Sequence, residues 1–506
     1  MSNKYQNPNL VVKNGVFLFL RFLLVLFLGF FTTRLTLLVL GDEKFGIYNI
    51  VGGIIAIFAI ISLPVRDSLQ RFFNVELSLE NRSSGTIFFT SVRIVRWMNI
   101  IITILYETVG LYLINYVIKY PAEEILAVNV VFQISVASNL LGFVALPYIS
   151  LLFSKENMGV PAICEIVGAV VKIILLYLIP FVPVDVLIPY ACIFLLTNFA
   201  FYLFYYIYCI KKYPECFVKA DADKELQKKM LGFSGWSFVE AVAGIAQTYV
   251  SNVFINIFGG VLFNTAYGVS KQLQNAVVGF SSNVLKASDP QITSSTATKN
   301  AFYRDQLVMT TAKLSLLGVA FVYIVFHFDG GFLLDIWLDK VPQYALEFCD
   351  LALLATVFAS ITLPFRTLIM ATGKVRGYFM TYGVVSLISM AIMFVILKMG
   401  ASMVSVMYIL AISNLIMLLF SIFYAYHMAS MNISFVIKNS AFALVTVIIA
   451  GGTYYLIRQR FNNEVMGMMI STIMGFAILA FLGYFIAFNA QEKDKIKGLV
   501  LRFIKR

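Results

Sequence analysis

FGGVLFNTAYGVSKQLQNAVVGFSSNVLKASDPQI, Phe258 to Ile292, is long enough to cross a bilayer, yet it contains no leucine-rich run. Asn264, Tyr267, Lys271, Gln274 and Asn275 recur instead at intervals of three, four, three and one, which places them on one stripe of a helix. Val269, Leu273, Ala276, Val277 and Phe280 lie on the other side. A lysine and several amides on one face of a membrane helix must meet water, protein or ligand rather than lipid. The stretch therefore predicts a helix that lines a wet cavity.

The rest of the chain supports a membrane setting. Its 506 residues are 60% hydrophobic and 13% charged, whereas soluble domains carry about 25% charged residues. The first apolar run, 15–40, is too long for the apolar core of a signal peptide and has no small-residue cleavage motif. The formal charge of +12 is distributed mainly in alternate loops, which speaks for topology rather than nucleic-acid binding. The five cysteines are scattered and form no CxxC pair, so neither a metal site nor a disulfide framework is suggested.

Fourteen apolar stretches read as spans: 15–40, 46–66, 87–117, 122–151, 159–180, 186–210, 230–258, 262–287, 306–328, 344–371, 375–398, 402–427, 436–457 and 465–488. The stretches 46–66 and 262–287 are the least lipid-like. From a cytoplasmic N-terminus, the inner segments carry Arg66, Arg71 and Arg82, then Lys211, Lys212, Lys219, Lys224, Lys228 and Lys229, then Lys286, Lys299 and Arg304. The outer segments carry only Lys44, Lys119, Lys340, Lys398, Arg458 and Arg460. This bias predicts that both termini are cytoplasmic. The basic tail EKDKIKGLVLRFIKR reads as an amphipathic end lying on an anionic leaflet.

The chain also repeats itself. LPYISLLFSKENMG at Leu146–Gly159 resembles LPFRTLIMATGKVRG at Leu363–Gly377, with Pro147 and Pro364 offset by 217 positions. The same offset pairs Arg96 with Lys313, and an offset of 218 pairs Gly41 and Phe45 with Gly259 and Phe263. An even repeat unit of six spans keeps its orientation, giving parallel repeats with a substrate site expected between the halves near the midplane. The expected organisation is a six-helix bundle over 1–212, a cytoplasmic linker over 213–229, a second six-helix bundle over 230–430, and two extra helices with a basic tail over 431–506. The fold class is thus an all-α polytopic membrane protein.

Charged residues inside spans are the functional candidates. Arg21 and Arg34 lie near the two ends of the first span, where each guanidinium could instead snorkel to its nearer surface. They stand roughly 220° apart around a straight helix. Glu165 and Lys172 share a face of the fifth span about 10 Å apart, too far to pair directly. Each either pairs with a neighbouring helix or forms part of a charged cavity wall. Glu240 and Gln247 share a stripe of the seventh span, with Glu240 near a helix end. Lys271 is the deepest cation of the eighth. Arg93, Arg96 and Lys313 read as helix-end anchors, and Glu107 as a deeper acid that could neutralise a cation. The set leans cationic, which suits a phosphate or pyrophosphate ligand. Pro147 and Pro364 fall inside spans and serve either as hinges or as static kinks. No P-loop appears, the two histidines are far apart, and no enzyme motif stands out.

RLTLLVLGDEKFGIYNIVGGI at Arg34–Ile54 resembles the LG…yGiy signature of Wzx-type polysaccharide flippases. NTAYGVSKQLQNAVVGFSSNVLKASDPQIT at Asn264–Thr293 is similar to another segment of the same family, with Asn283, Ala287, Pro290, Gln291 and Ile292 filling its final pattern. The resemblance implies membership of the multidrug/oligosaccharidyl-lipid/polysaccharide exporter superfamily, with two six-helix bundles in a V and two extra helices. It implies movement of an undecaprenyl-pyrophosphate-linked oligosaccharide (O-antigen, capsule or exopolysaccharide) across the bacterial inner membrane by alternating access. Coupling to a proton or sodium gradient and no bound cofactor are implied too. So are membrane lipids, a polysaccharide polymerase and a chain-length regulator as partners. In that reading Arg21, Arg34, Lys172 and Lys271 hold the substrate. Asn264, Tyr267, Gln274, Asn275 and Gln247 line the cavity. Glu107, Glu165 and Glu240 are the candidates for ion coupling.

Three other functions remain open. A drug/cation antiporter of the same superfamily usually has twelve spans and an acid in its first span, where this chain has arginines. A peptidoglycan lipid-precursor flippase shares fourteen spans and a cationic cavity. A membrane-embedded polymerase or acyltransferase should carry a large outer loop with catalytic residues, whereas the longest here, about Asp329 to Gln343, is short and holds no histidine.

Overall fold

The computed structural model describes residues 8–79, 83–117, 122–181, 183, 185–216, 221–338, 341–461, 464–488 and 493. The described residues form fourteen long helices and no strand: α1 (Pro8–Ala59), α2 (Ser62–Leu79), α3 (Ser84–Leu105), α4 (Ile125–Ser154), α5 (Gly159–Leu178), α6 (Leu187–Lys212), α7 (Lys224–Gly259), α8 (Val261–Ala297), α9 (Ala301–Trp337), α10 (Ala345–Thr372), α11 (Arg376–Lys398), α12 (Val404–Ala429), α13 (Ile433–Arg458) and α14 (Glu464–Leu482). Among them twelve stretches are long and apolar enough to cross a membrane. α8 is outside that set because of its polar stripe. The first part of α1 is also outside it, and its side chains lie largely outside the described residues.

Local chemistry sets the boundaries. Ser83 caps α3 by accepting from the Thr86 amide at 3.2 Å. Asn300 does the same for α9 through Tyr303, and Asn432 for α13 through Phe435. Of the four described glycines with a positive φ that a side chain would resist, two are Gly41 at 73° and Gly260 at 79°. They mark the same turn in each repeat, one position away from the sequence pairing of Gly41 with Gly259. The first of these bends α1 without ending it, and the chain breaks only at 60–61. The expected second span, 46–66, is therefore shared between the end of α1 and the start of α2.

The chain divides into two compact units, Val16–Ala241 and Val242–Arg506, the latter together with the stretch up to Gly15. The division falls inside α7. In the first unit α4 packs on α2, α3 and α6; in the second α10 packs on α8, α9 and α12. The same neighbours thus recur at the spacing of the sequence repeat. α13 and α14 pack on each other and on α9, so the additional pair belongs to the second unit.

Helix ends differ from the sequence expectation where polar residues extend a helix beyond its apolar run. Arg96 and Lys313 lie twelve residues inside α3 and α9, about 18 Å from the helix starts. They are not in the first turns. Lys313 is buried, donating to the Ala487 carbonyl at 2.9 Å. α9 continues past a kink at Asp329 to Trp337, so the outer loop is shorter than Asp329–Gln343. The Asp329 carboxylate is buried and accepts from Tyr454 Oη at 2.6 Å and from Arg458 Nε at 2.6 Å. Arg458, read from sequence as a loop cation, is a structural tie between α13 and α9. Its Nη1 also donates to the Phe461 carbonyl at 3.1 Å. The tail after Lys493 lies outside the described residues.

Asp329→Ala leaves the Arg458 guanidinium partly enclosed without its anion, and should cost about 3–5 kcal/mol. Asp329→Asn keeps an acceptor for Tyr454 and should cost less. Asp329→Leu with Arg458→Met should recover much of the loss, because two apolar groups need no pairing. Thermal unfolding of the purified protein in detergent checks the order: wild type, double variant, Asp329→Asn, Asp329→Ala. Equal melting temperatures for wild type and Asp329→Ala would contradict the assigned tie.

Candidate functional site

Each unit holds a partly open cavity with polar groups in its wall, and each such wall contains one lysine. In the first unit a cavity of about 490 Å³ lies between α1, α5 and α6. Thr32 and Thr36 of α1, Glu165 and Lys172 of α5, and Tyr190 of α6 supply its polar wall, with Tyr48 beside them. Small residues make room for it: a Cβ on Gly168 would stand 2.1 Å from the tip of the Phe201 ring, so glycine lets that ring lie against α5. Lys172 Nζ sits 4.4 Å from the Phe194 ring centre, a cation–π contact that holds the ammonium at the wall.

Arg21 and Glu165 form an ion pair, Nη1 to Oε2, at 2.8 Å. The Arg21 side chain is 9% exposed and the Glu165 side chain 48% exposed. Glu165 therefore pairs with a neighbouring helix while still facing the cavity, which joins the two alternatives left open by the sequence. Lys172, seven residues on, does not share this pairing.

In the second unit a smaller cavity of about 160 Å³ lies between α7, α8, α10, α11 and α12. Lys271 and Gln274 of α8 line it together with Gln247 and Thr248 of α7, Tyr382 of α11 and Asn414 of α12. Lys271 Nζ donates to Gln274 Oε1 at 2.8 Å. Gln274 Nε2 donates in turn to the Ala352 carbonyl at 3.2 Å and to Thr356 Oγ1 at 3.1 Å. This chain fixes the amide with its oxygen toward the lysine. Gln247 Nε2 donates to Ser389 Oγ at 2.7 Å. Tyr267 is buried beneath Lys271, its ring centre 5.3 Å from Nζ, and its hydroxyl donates to the Thr248 carbonyl at 3.2 Å.

The stripe of α8 thus divides. Lys271 and Gln274 line the cavity and Tyr267 supports them. Asn264 is half-buried away from it, and Asn275 is exposed. Glu107 is exposed and accepts from Gln133 Nε2 at 3.1 Å, not from a cation. Glu240 is half-buried on α7 and lines neither cavity. The side chain of Arg34 lies outside the described residues. Sequence reasoning missed Asn414, Thr248 and Tyr382. None of them lies on the polar stripe of α8 from which the site was read, and none carries a charge that would mark it in an apolar span.

The charge balance follows from these placements. Arg21 and Glu165 offset each other, which leaves Lys172 as the net charge of the first cavity wall. No acid lines the second cavity, so Lys271 is its net charge. Glu165→Gln removes the anion from an enclosed guanidinium, and exposure of the carboxylate moderates the effect to about 1–3 kcal/mol. The melting temperature should fall by several degrees. The reversed pair, Arg21→Glu with Glu165→Arg, should recover more than half of that fall. Failure of the reversed pair to recover any stability would show that the 2.8 Å contact is not a stabilising pair.

No protein-family model and no characterised protein matches the sequence. Solved structures do match. A multidrug resistance MATE family transporter of the MOP superfamily, in an outward-facing conformation, aligns with a TM-score of 0.72 at 11% identity, over 83% of this chain and 96% of that one. A MATE structure in the bent conformation aligns at 0.71 and 12%, over 85% and 97%. A MOP superfamily transporter from Pyrococcus furiosus, described by a reverse polarity of its binding pocket that suggests a different function, aligns at 0.67 and 12%, over 83% and 96%. These neighbours are transporters, not enzymes. The chain is a multi-pass membrane protein with the fold of MATE transporters of the MOP superfamily.

Proposed function

We propose that the chain is a flippase for undecaprenyl-pyrophosphate-linked oligosaccharide, working by alternating access in a bacterial inner membrane with both termini cytoplasmic. The fold is shared with multidrug transporters and does not choose the cargo. The observation that carries the choice is the sign of the two cavities: each has a single net positive charge, set among hydroxyls and amides. A cationic drug would meet a lysine with no acid beside it in the second cavity. A phosphorylated headgroup would meet a counter-ion, and sugar hydroxyls would find donors and acceptors in Gln247, Thr248, Tyr382 and Asn414. The Pyrococcus furiosus transporter, whose pocket is described as reversed in polarity with a different function suggested, gives a precedent for pocket charge separating functions on this fold.

The Arg21–Glu165 pair offers a route to coupling. An anion that takes the Arg21 guanidinium frees Glu165, which is already half exposed. Departure of the anion would restore the pair. Lys172 and Lys271 act as the fixed charges that the headgroup neutralises, which makes the loaded cavity cheaper to move past lipid than the empty one.

A strain lacking the protein should accumulate lipid-linked oligosaccharide on the cytoplasmic leaflet, measured by leaflet-resolved labelling of the glycan. Lys172→Ala and Lys271→Ala should each restore surface polysaccharide to about a tenth or less of the wild-type level, the loss of roughly one charge-assisted hydrogen bond, at unchanged membrane abundance. Normal surface polysaccharide in the deletion strain, with no paralogue present, would overturn the assignment. Sensitivity to cationic drugs as the only phenotype would favour the drug-exporter reading.

A further inference from the structure

α3 and α9 occupy the same place in the repeat, yet they differ in how they are covered. In α9, 61% of the apolar stretch is buried; in α3, 22%. Lys313, Leu317 and Phe321 form one face of α9, and the C-terminal helices cover it from end to end. Lys313 Nζ donates to the Ala487 carbonyl at 2.9 Å. Leu317 lies against Gly483, and Phe321 stands 5.6 Å from the Phe476 ring. At the offset of 217 these three positions become Arg96, Ile100 and Ile104 of α3. Among the described residues that face stays open. Arg96 is exposed, and Ile100 and Ile104 are 46% and 57% exposed.

The uncovered face is one wall of a groove of about 530 Å³, closed by Pro147 of α4 and Tyr202 of α6. This is the range of a ligand site rather than a flat contact between helices. Its polar end is unsatisfied. Among the described residues Arg96 has no hydrogen-bonding or ionic partner. Asn99, one turn inward, gives its amide to the Leu140 carbonyl at 3.3 Å, while its Oδ1 is buried without a partner.

We propose that this groove binds an anionic phospholipid, its phosphate on Arg96 and one acyl chain along Ile100 and Ile104. Depth supports the assignment. The helical stretch Ser84–Tyr116 has 33 residues, about 50 Å, against a hydrocarbon core of about 30 Å. If centred, it leaves Arg96 roughly 8 Å below the headgroup boundary, within reach of a snorkelling guanidinium. A lipid phosphate is abundant at that level. The lipid takes in the first unit the place that the end of α14 and the residues after it take in the second.

The test is native mass spectrometry of the full-length protein with added phosphatidylglycerol, compared with phosphatidylcholine. Wild type should retain phosphatidylglycerol preferentially. Arg96→Gln should lower its bound fraction at least fivefold, Arg96→Lys should keep most of it, and Thr103→Trp, which fills the groove from a neighbouring lining position, should lower it as far. Arg93→Gln is the control, because Arg93 already donates to the Ala222 carbonyl. Retention unchanged in both Arg96→Gln and Thr103→Trp, or equal retention of the two lipids by wild type, would overturn the proposal. So would a photoreactive group attached through Ile104→Cys that crosslinks in native membranes to a polypeptide rather than to lipid.

Discussion

A polar group inside a membrane protein has to be satisfied by its own bundle, because lipid offers it nothing, and this constraint arranges most of what is distinctive here. Arg21 is held by Glu165, Lys313 by the Ala487 carbonyl, and Asp329 by Tyr454 and Arg458. Each is a tie between helices far apart in sequence. Together they fix which face of α1 meets α5, and they fasten α13 and the chain after α14 to α9. The hydrophobic effect contributes little to such choices within lipid, where every helix surface is already in an apolar medium. Close contacts such as Gly168 against Phe201 supply the remaining specificity.

The same constraint singles out the groups that the fold leaves available. Lys172 and Lys271 face partly open cavities, steadied by a ring and an amide and not by a carboxylate. Arg21, Arg458 and Lys313 are each given an anion or a backbone carbonyl, and these two lysines differ from them in that. Arg96 stands apart in a third way. It lies on a face that its repeat partner has covered and that it has not, which separates a lipid-facing role from the cavity roles of the lysines.

Much of the fold was legible because a bilayer imposes a length. Apolar runs near twenty residues located the helices, and the offset of Pro147 from Pro364 anticipated the shared neighbours of α4 and α10. The second span was misread because Gly41 bends α1 without ending it, and because the break at 60–61 falls inside an apolar run, marked only by Pro64 in the first turn of α2. Asp329 was taken for the edge of a loop because its partner, Arg458, stands 129 positions away, beyond any local pattern. At the site, the stripe of α8 revealed Lys271 and Gln274, since i and i+3 positions share a face whatever the surroundings. It could not reveal that Asn275 stays exposed outside this cavity, nor that Asn414 and Tyr382 complete the wall, because helical spacing gives relative angles and not the absolute rotation of a helix in its bundle.

The central claim is that Lys271 borders a space that water and an anionic headgroup can enter. The direct measurement is aqueous modification of Lys271→Cys, in a chain with its native cysteines replaced, using a charged membrane-impermeant thiol reagent applied from each side of oriented vesicles. The account predicts modification from at least one side, slowed by an added lipid pyrophosphate. No modification from either side under any condition, while a cysteine in an exposed loop of the same protein reacts fully, would contradict it.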